Sequence, residues 1–211
     1  MLMMMQTMMG AATVPLASAD GYGDAFVFRI HLSVLQTSYT YPLRLNSTYD
    51  CTVDWGDGTV ESFTENPSHV YASSGEYDVK IAGQCPAPRC QPSDGEKIIE
   101  VKHWGSLIGA TDWSLAFTNT PSNFVISATD VFGAGVTNVY RMFMGSGLSV
   151  IDPTLFDMSD VENMDHMFLA ASSFDADLSG WCVPKITEEP ELFADSSALK
   201  PEHYPVWGTC P

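Results

Sequence analysis

A chain of 211 residues with 45% hydrophobic and 11% aromatic side chains has enough apolar mass for one large or two small folded domains, which excludes a disordered protein. Its 26 Asp and Glu against 9 Lys and Arg give a net charge of −17, so polyanions are repelled and nucleic acid is excluded as a partner. The charge is uneven: residues 1–19 carry no charged side chain, whereas residues 130–211 hold thirteen Asp or Glu against Arg141, Lys185 and Lys200.

Residues 1–24 form an apolar N-terminal segment in which Leu2 stands among the flexible thioethers of Met1, Met3, Met4, Met5, Met8 and Met9. Such side chains fill irregular gaps in a neighbouring surface, which points to an extended arm docked on an assembly. The rival reading is a secretory signal, because the apolar run ends in Ala17-Ser18-Ala19, although no Lys or Arg precedes Arg29. The run is too short and interrupted for a membrane span, which needs about 20 predominantly apolar residues.

From Ala25 to Gly83 short alternating runs are separated by Gly, Asn and Pro turns: Ala25–Val34, Tyr41–Leu45, Cys51–Trp55, Thr59–Phe63, His69–Tyr71 and Tyr77–Ile81. Period-two alternation with β-branched and aromatic residues predicts strands, and their number and spacing predict a compact β-sandwich over residues 25–83. Within it, Asp54-Trp55-Gly56-Asp57-Gly58 is a tight turn in which the glycines allow positive φ and Asp57 bonds its own backbone. Together with Asn66–Tyr71 and Gly75–Val79, this turn resembles the PKD domain pattern. That resemblance implies an immunoglobulin-like sandwich of the kind found in extracellular proteins. Residues 84–104 read as a connector with Pro, Gly and Cys, ending in a strand-like Lys97–Trp104.

Residues 105–211 contain a recurring phrase: Trp113–Phe117, Val139–Phe143, Met164–Phe168 and Glu189–Phe193, with Phe117, Phe143, Phe168 and Phe193 spaced by 26, 25 and 25. A fixed period of this size marks a unit that buries its apolar face only by stacking on its neighbours, so these residues predict a short solenoid with a C-terminal cap. Phe117, Phe143, Phe168 and Phe193 are the expected repeat core, and Phe143, Phe168 and Phe193 are expected to stack in equivalent buried positions with Met142, Met167 and Leu192 beside them. The stretch Val161–Trp181 and the closing Trp181-Cys182-Val183 and Pro205–Pro211 resemble BspA-type surface protein repeats. That resemblance implies leucine-rich-repeat-like modules; Val131–Gly135 departs from it where a polar turn belongs.

Five cysteines, an odd number, suggest an oxidising destination with one thiol left over. Cys182 and Cys210 each follow a Trp-containing turn, and a bond between them would staple the last repeat. Cys85 and Cys90 flank Pro86–Arg89 and are expected to close a small loop, leaving Cys51 free and buried in its strand. Only the Cys85/Cys90 spacing approaches that of a zinc ligand pair, and no second pair accompanies it, so neither a metal nor any cofactor is expected. Asp54 and Asp57 are weak calcium candidates, because Gly56 stands where a calcium loop places its middle ligand. A second acidic group, Asp175, Asp177 and Asp195, reads as a solvated face.

His31, His69, His103, His166 and His203 are scattered, and no nucleophile elbow, zinc-helix motif or phosphate loop accompanies them. The expectation is therefore a non-enzymatic structural and attachment protein of an extracellular assembly. The leading version is a phage virion component, such as a capsid decoration, tail or fibre protein, contacting protein neighbours or a host-surface protein or glycan. A secreted bacterial cell-surface adhesin and an accessory binding module of an enzyme complex are the alternatives.

Overall fold

The computed structural model describes residues 22–42, 47–90 and 95–211. The arm residues Met1 to Met9, the end of the expected Tyr41–Leu45 strand and residues 91–94 lie outside the described residues. The described chain is mainly β, with strands β1 (Phe26–Leu32), β2 (Ser38–Thr40), β3 (Asp50–Asp54), β4 (Val60–Phe63), β5 (Ser68–Val70), β6 (Gly75–Gln84), β7 (Ile98–His103) and β8 (Val125–Ile126). Helical structure among these residues is confined to single 3-10 turns at Gly95–Lys97, Pro153–Leu155 and Pro201–His203.

Six strands make a mixed sheet in the order β4-β3-β6-β1-β7-β8, and β2 pairs with β5 in a second, two-stranded sheet. Alternation along β1 decides what faces what. Phe26, Phe28, Ile30 and Leu32 enter the core, where Phe28 meets Tyr39 and Tyr41 from the side of the small sheet, each with ring centroids 6.1 Å away. Arg29 is directly opposite Asp78 of β6 and Glu100 of β7. Its guanidinium holds Asp78 through two bonds of 2.7 and 3.1 Å, and Lys102 reaches the same carboxylate at 2.8 Å. Burial alone would raise the Asp78 carboxyl, but the hydrogen bonds from Arg29 and Lys102 outweigh it and hold it below the usual range. This network ties the three central strands together on the face away from the core.

Residues 111–207 are built differently. Trp113, Leu115, Phe117 and Asn119 donate their backbone N–H groups to the carbonyls of Asn138, Tyr140, Met142 and Met144 in the next coil. Val139, Arg141, Phe143 and Gly145 do the same to Asn163, Asp165, Met167 and Leu169, and His166, Phe168 and Ala170 to Glu191, Phe193 and Asp195. Between these rungs the chain bonds back on itself in turns, as in Met142 to Val139 and Met167 to Met164. The turns require left-handed backbone: Leu115, Arg141, His166 and Leu192 have φ of 61°, 54°, 58° and 47°, and Asn119, Gly145, Ala170 and Ser196 repeat the conformation four residues later. An L-residue there costs roughly 1–2 kcal/mol, which the inter-coil hydrogen bonds and the aromatic stack must offset.

Phe117, Phe143 and Phe168 stack with centroids 5.7 Å apart and planes within 16° of parallel. Phe193 is buried as well but turns edge-on to Phe168, at 89°, and is boxed by Tyr204 and Trp207. Leu192 does not join Met142 and Met167 inside: Phe117, Phe143 and Phe168 donate to Met142, Met167 and Phe193 in turn, so Phe193 takes the rung of Met142 and Met167, while Leu192 falls on the left-handed position of Arg141 and His166 and is 43% exposed. In Val131–Gly135, a Cβ on Gly133 would collide with the Asp157 carbonyl, so close coil contact explains why this stretch is not a polar turn.

The two regions share one continuous buried core running from Phe26 to Leu199. Trp104 is its joint, with Phe26, Trp113, Phe117, Phe132 and Phe156 all within 6.5 Å of its ring. Asp130, from the repeats, accepts hydrogen bonds from the backbone N–H groups of Trp104 and Gly105 at 2.9 and 2.8 Å. β7, expected in the connector, is an integral strand of the large sheet, antiparallel to β1 and parallel to β8 from the first repeat. Alternating burial shows that Lys97–Trp104 is a strand but not which strand it joins.

Candidate interaction surface

The last coils of the repeat stack carry a groove of about 320 Å³ between residues 162–165 and 185–191. Asn163 shapes its first wall: its side-chain oxygen accepts from the Asp165 N–H at 3.0 Å, the same local turn that Asn138 and Asp112 make one and two coils earlier. Asp165 in turn accepts the Glu191 N–H at 2.8 Å, which fixes the second wall, Glu188 to Glu191, against the first. Lys185 spans one end, 3.2 Å from Asp160 and 3.3 Å from Glu162, and these hydrogen bonds hold its ammonium above the ordinary lysine range.

That single lysine leaves the groove anionic. Glu188, Glu189 and Glu191 are exposed, and no cation among the described residues pairs with them. Charge confined to a concave wall attracts a cationic partner more strongly than the same charge spread over a convex surface. Sequence reading had the acidity of this half but not the groove, whose signal is the Asx residue recurring at positions 112, 138 and 163.

The other acidic candidates are otherwise engaged. Asp175 accepts from Lys200 and His203, each at 2.9 Å, and these two bonds hold its carboxyl below the usual range. Asp177 accepts the Ser179 N–H at 3.0 Å, and its carboxyl is likewise lowered. The Asp54 carboxylate accepts the Gly56 N–H at 3.0 Å and lies 3.4 Å from Lys80. Asp57 accepts the Thr59 N–H at 3.0 Å with one oxygen and faces His69 at 2.9 Å with the other. Burial would raise Asp57, but the bonds to His69 and Thr59 prevail and lower it. His69 stacks on the fully buried Trp55 at 5.2 Å, and the Tyr71 hydroxyl donates to the Trp55 carbonyl at 3.0 Å. The turn residues thus form one interlocked structural unit. Among the described residues no group of three His, Cys, Asp or Glu is placed to hold a metal ion.

Cys182 and Cys210 form a disulfide that closes the last coil. Cys85 and Cys90 do not pair, which corrects the small loop expected between them: none of Cys51, Cys85 and Cys90 is in a disulfide, and all three are buried. The segment between them is pinned away from closure. The Tyr41 hydroxyl holds the Pro86 carbonyl at 2.9 Å, while the Cys90 N–H and thiol bond Leu115 and Ala116 of the first coil, each at 3.0 Å. Two cysteines five positions apart therefore point into different parts of the core.

Of the histidines, His103 contacts the Ala25 carbonyl at 2.9 Å and Asp130 at 3.5 Å, while His31 lies 3.9 Å from Glu76. His166 lies edge-on to Tyr140, 5.5 Å away, and its Nδ1 is unpartnered among the described residues. No helix among the described residues is long and apolar enough to cross a membrane.

A mainly β chain with a stacked repeat half and an anionic groove is the class that these observations define. Residues 111–207 match the model of a BspA-related family described as a Mycoplasma protein of unknown function, DUF285. Comparison with curated proteins and with solved structures found no match.

Proposed function

We propose that this chain is a non-enzymatic structural and attachment protein of an extracellular assembly, with the repeat half turned outward. The observation that carries the proposal is the groove in which Glu188, Glu189 and Glu191 have no paired cation among the described residues, a surface suited to a basic protein segment of a neighbour or host. The disulfide at the end of the stack supports an oxidising location. Residues 25–83 are read as a PKD-like, immunoglobulin-like sandwich, supported by the Trp55, His69 and Tyr71 unit, and residues 105–211 as leucine-rich-repeat-like, supported by the regular coil ladder.

In the virion version the chain is a decoration, tail or fibre protein of a phage. The cell-surface version, a bacterial adhesin, is favoured by the match to a BspA-related family described from Mycoplasma. Gold-labelled antibody against residues 111–207, applied to intact particles and intact cells, separates these versions by where the label falls. Label that appears only after lysis would overturn both. In a binding assay on the labelled partner surface, the combined variant Glu188→Lys, Glu189→Lys and Glu191→Lys is expected to lose attachment, whereas Asp177→Asn, outside the groove, retains it.

A further inference from the structure

β3 and β6 run antiparallel with Cys51 opposite Gly83. Gly83 has no side chain to stand in front of Cys51. The core-facing alternation Val79, Ile81, Gly83 therefore brings Cys85 next on the same face, diagonal to Cys51. Both cysteines belong to the same core cluster, at 4% and 0% exposure, and their thiols hydrogen-bond to each other. The Tyr41 hydroxyl, which donates to the Pro86 carbonyl at 2.9 Å, also interacts with Cys85, so the pair sits at the start of the segment that leads to the repeats.

We propose that Cys51 and Cys85 are a second disulfide site, closed when the chain folds in contact with a disulfide oxidant such as oxidised glutathione, with Cys90 the one cysteine that stays reduced. The reaction is two exchanges. The Cys51 thiolate attacks one sulfur of the oxidant and releases one glutathione thiolate, giving a mixed disulfide. Cys85 then gives up its proton to solvent, attacks the Cys51 sulfur and releases the second glutathione. Two cysteine thiols are oxidised to one disulfide, and one glutathione disulfide is reduced to two thiols. The hydrogen bond from Cys85 lowers Cys51 and the same bond raises Cys85, which makes Cys51 the first nucleophile. Because both sulfurs are buried, the exchange belongs to folding or to local opening of β3 and β4 at the sheet edge.

The bond would tie β3 to the base of the segment that pins Cys90 on the first coil, so the joint between sheet and repeats gains a staple to match the one at the far end. The proposal draws on the extracellular reading only for the source of the oxidant. Purified full-length protein refolded with oxidised and reduced glutathione, then denatured and alkylated without reductant, is expected to take up label at Cys90 alone. Peptide mapping should recover a linked Cys51–Cys85 pair. Label on Cys51, Cys85 and Cys90 together, or a linked peptide containing Cys90, would overturn the proposal. In a Cys182→Ser, Cys210→Ser variant refolded the same way, adding reductant should lower the unfolding midpoint, and an unchanged midpoint overturns it too. Since the oxidant is supplied in the tube, failure here counts against the pair and not against the extracellular location.

Discussion

The sheet region and the repeat region solve the same problem, satisfying the backbone of a mainly β chain, in opposite ways. In the sheets, relaxed extended strands pair by register, and side chains such as Arg29, Asp78 and Lys102 lock three of them from outside. In the repeats the backbone is strained into left-handed turns at fixed positions, and cohesion comes from inter-coil hydrogen bonds and identical aromatics in successive coils. Stability of the first kind is spread over a surface. Stability of the second kind runs along a line, where each coil depends on its neighbours.

The joint is where this contrast is broken most severely. Trp104→Ala removes a ring packed against five other aromatics from both regions and is expected to cost about 3–5 kcal/mol. Hydrogen exchange should then show protection lost in β1 and in residues 113–143 together. Phe168→Ala should cost a similar amount but act along the line. Protection should fall from Val139 to Trp207 while β1, β3 and β6 stay protected, and uniform loss over the chain would erase the distinction between the two regions. Reduction of the Cys182–Cys210 bond should cost about 2–4 kcal/mol, read as a lower denaturation midpoint, with fraying confined to the last coil.

Legibility in the sequence followed the same division. Strands β1, β3, β4 and β6 were visible as short runs of β-branched and aromatic residues between Gly, Asn and Pro turns, and the period of the repeats because Phe recurs with it. Strand partners were not, since alternation in Lys97–Trp104 is identical whether it pairs with β1 or starts a coil. Nor were the left-handed turns: Leu115, Arg141 and His166 occupy a conformation that sequence rules assign to Gly or Asn, so no local residue announced it. Leu192 followed the period in sequence but left it in space because the last coil is shifted by one residue, which puts Phe193 on the rung of Met142 and Met167. The groove was half legible: its carboxylates were counted, but their meeting depends on which coil edges face each other. For cysteines, spacing suggested Cys85 with Cys90, whereas strand register decides their direction.

A smaller effect should appear in the sheet as pH falls. Asp78 titrates lower in the folded chain than in the unfolded one, so the unfolded chain binds more protons in acid. The stabilisation from its bonds to Arg29 and Lys102 is therefore complete above the unfolded value of about 3.9 and is lost as pH drops through the lower folded value. The midpoint should decline in that window, and Asp78→Asn should flatten the decline. A variant that declines as steeply as the parent would place the acid sensitivity elsewhere.

The smallest effect has an unusual sign. Ala170 is exposed, has φ of 58° and stands where the preceding coil has Gly145, at 63°. Its N–H bonds the Asp195 carbonyl at 2.8 Å, a contact that needs no side chain. Glycine would relieve roughly 1–2 kcal/mol of left-handed strain while losing roughly 0.5–1 kcal/mol to the greater freedom of the unfolded chain. Ala170→Gly should therefore stabilise the protein by about 0.5–1 kcal/mol, whereas the same change at Ala82, in β6 of the sheet, should destabilise it. Denaturant midpoints of the two variants decide the matter: a shift in the same direction for both would mean that the turns of the repeats carry no strain distinguishing them from the sheet.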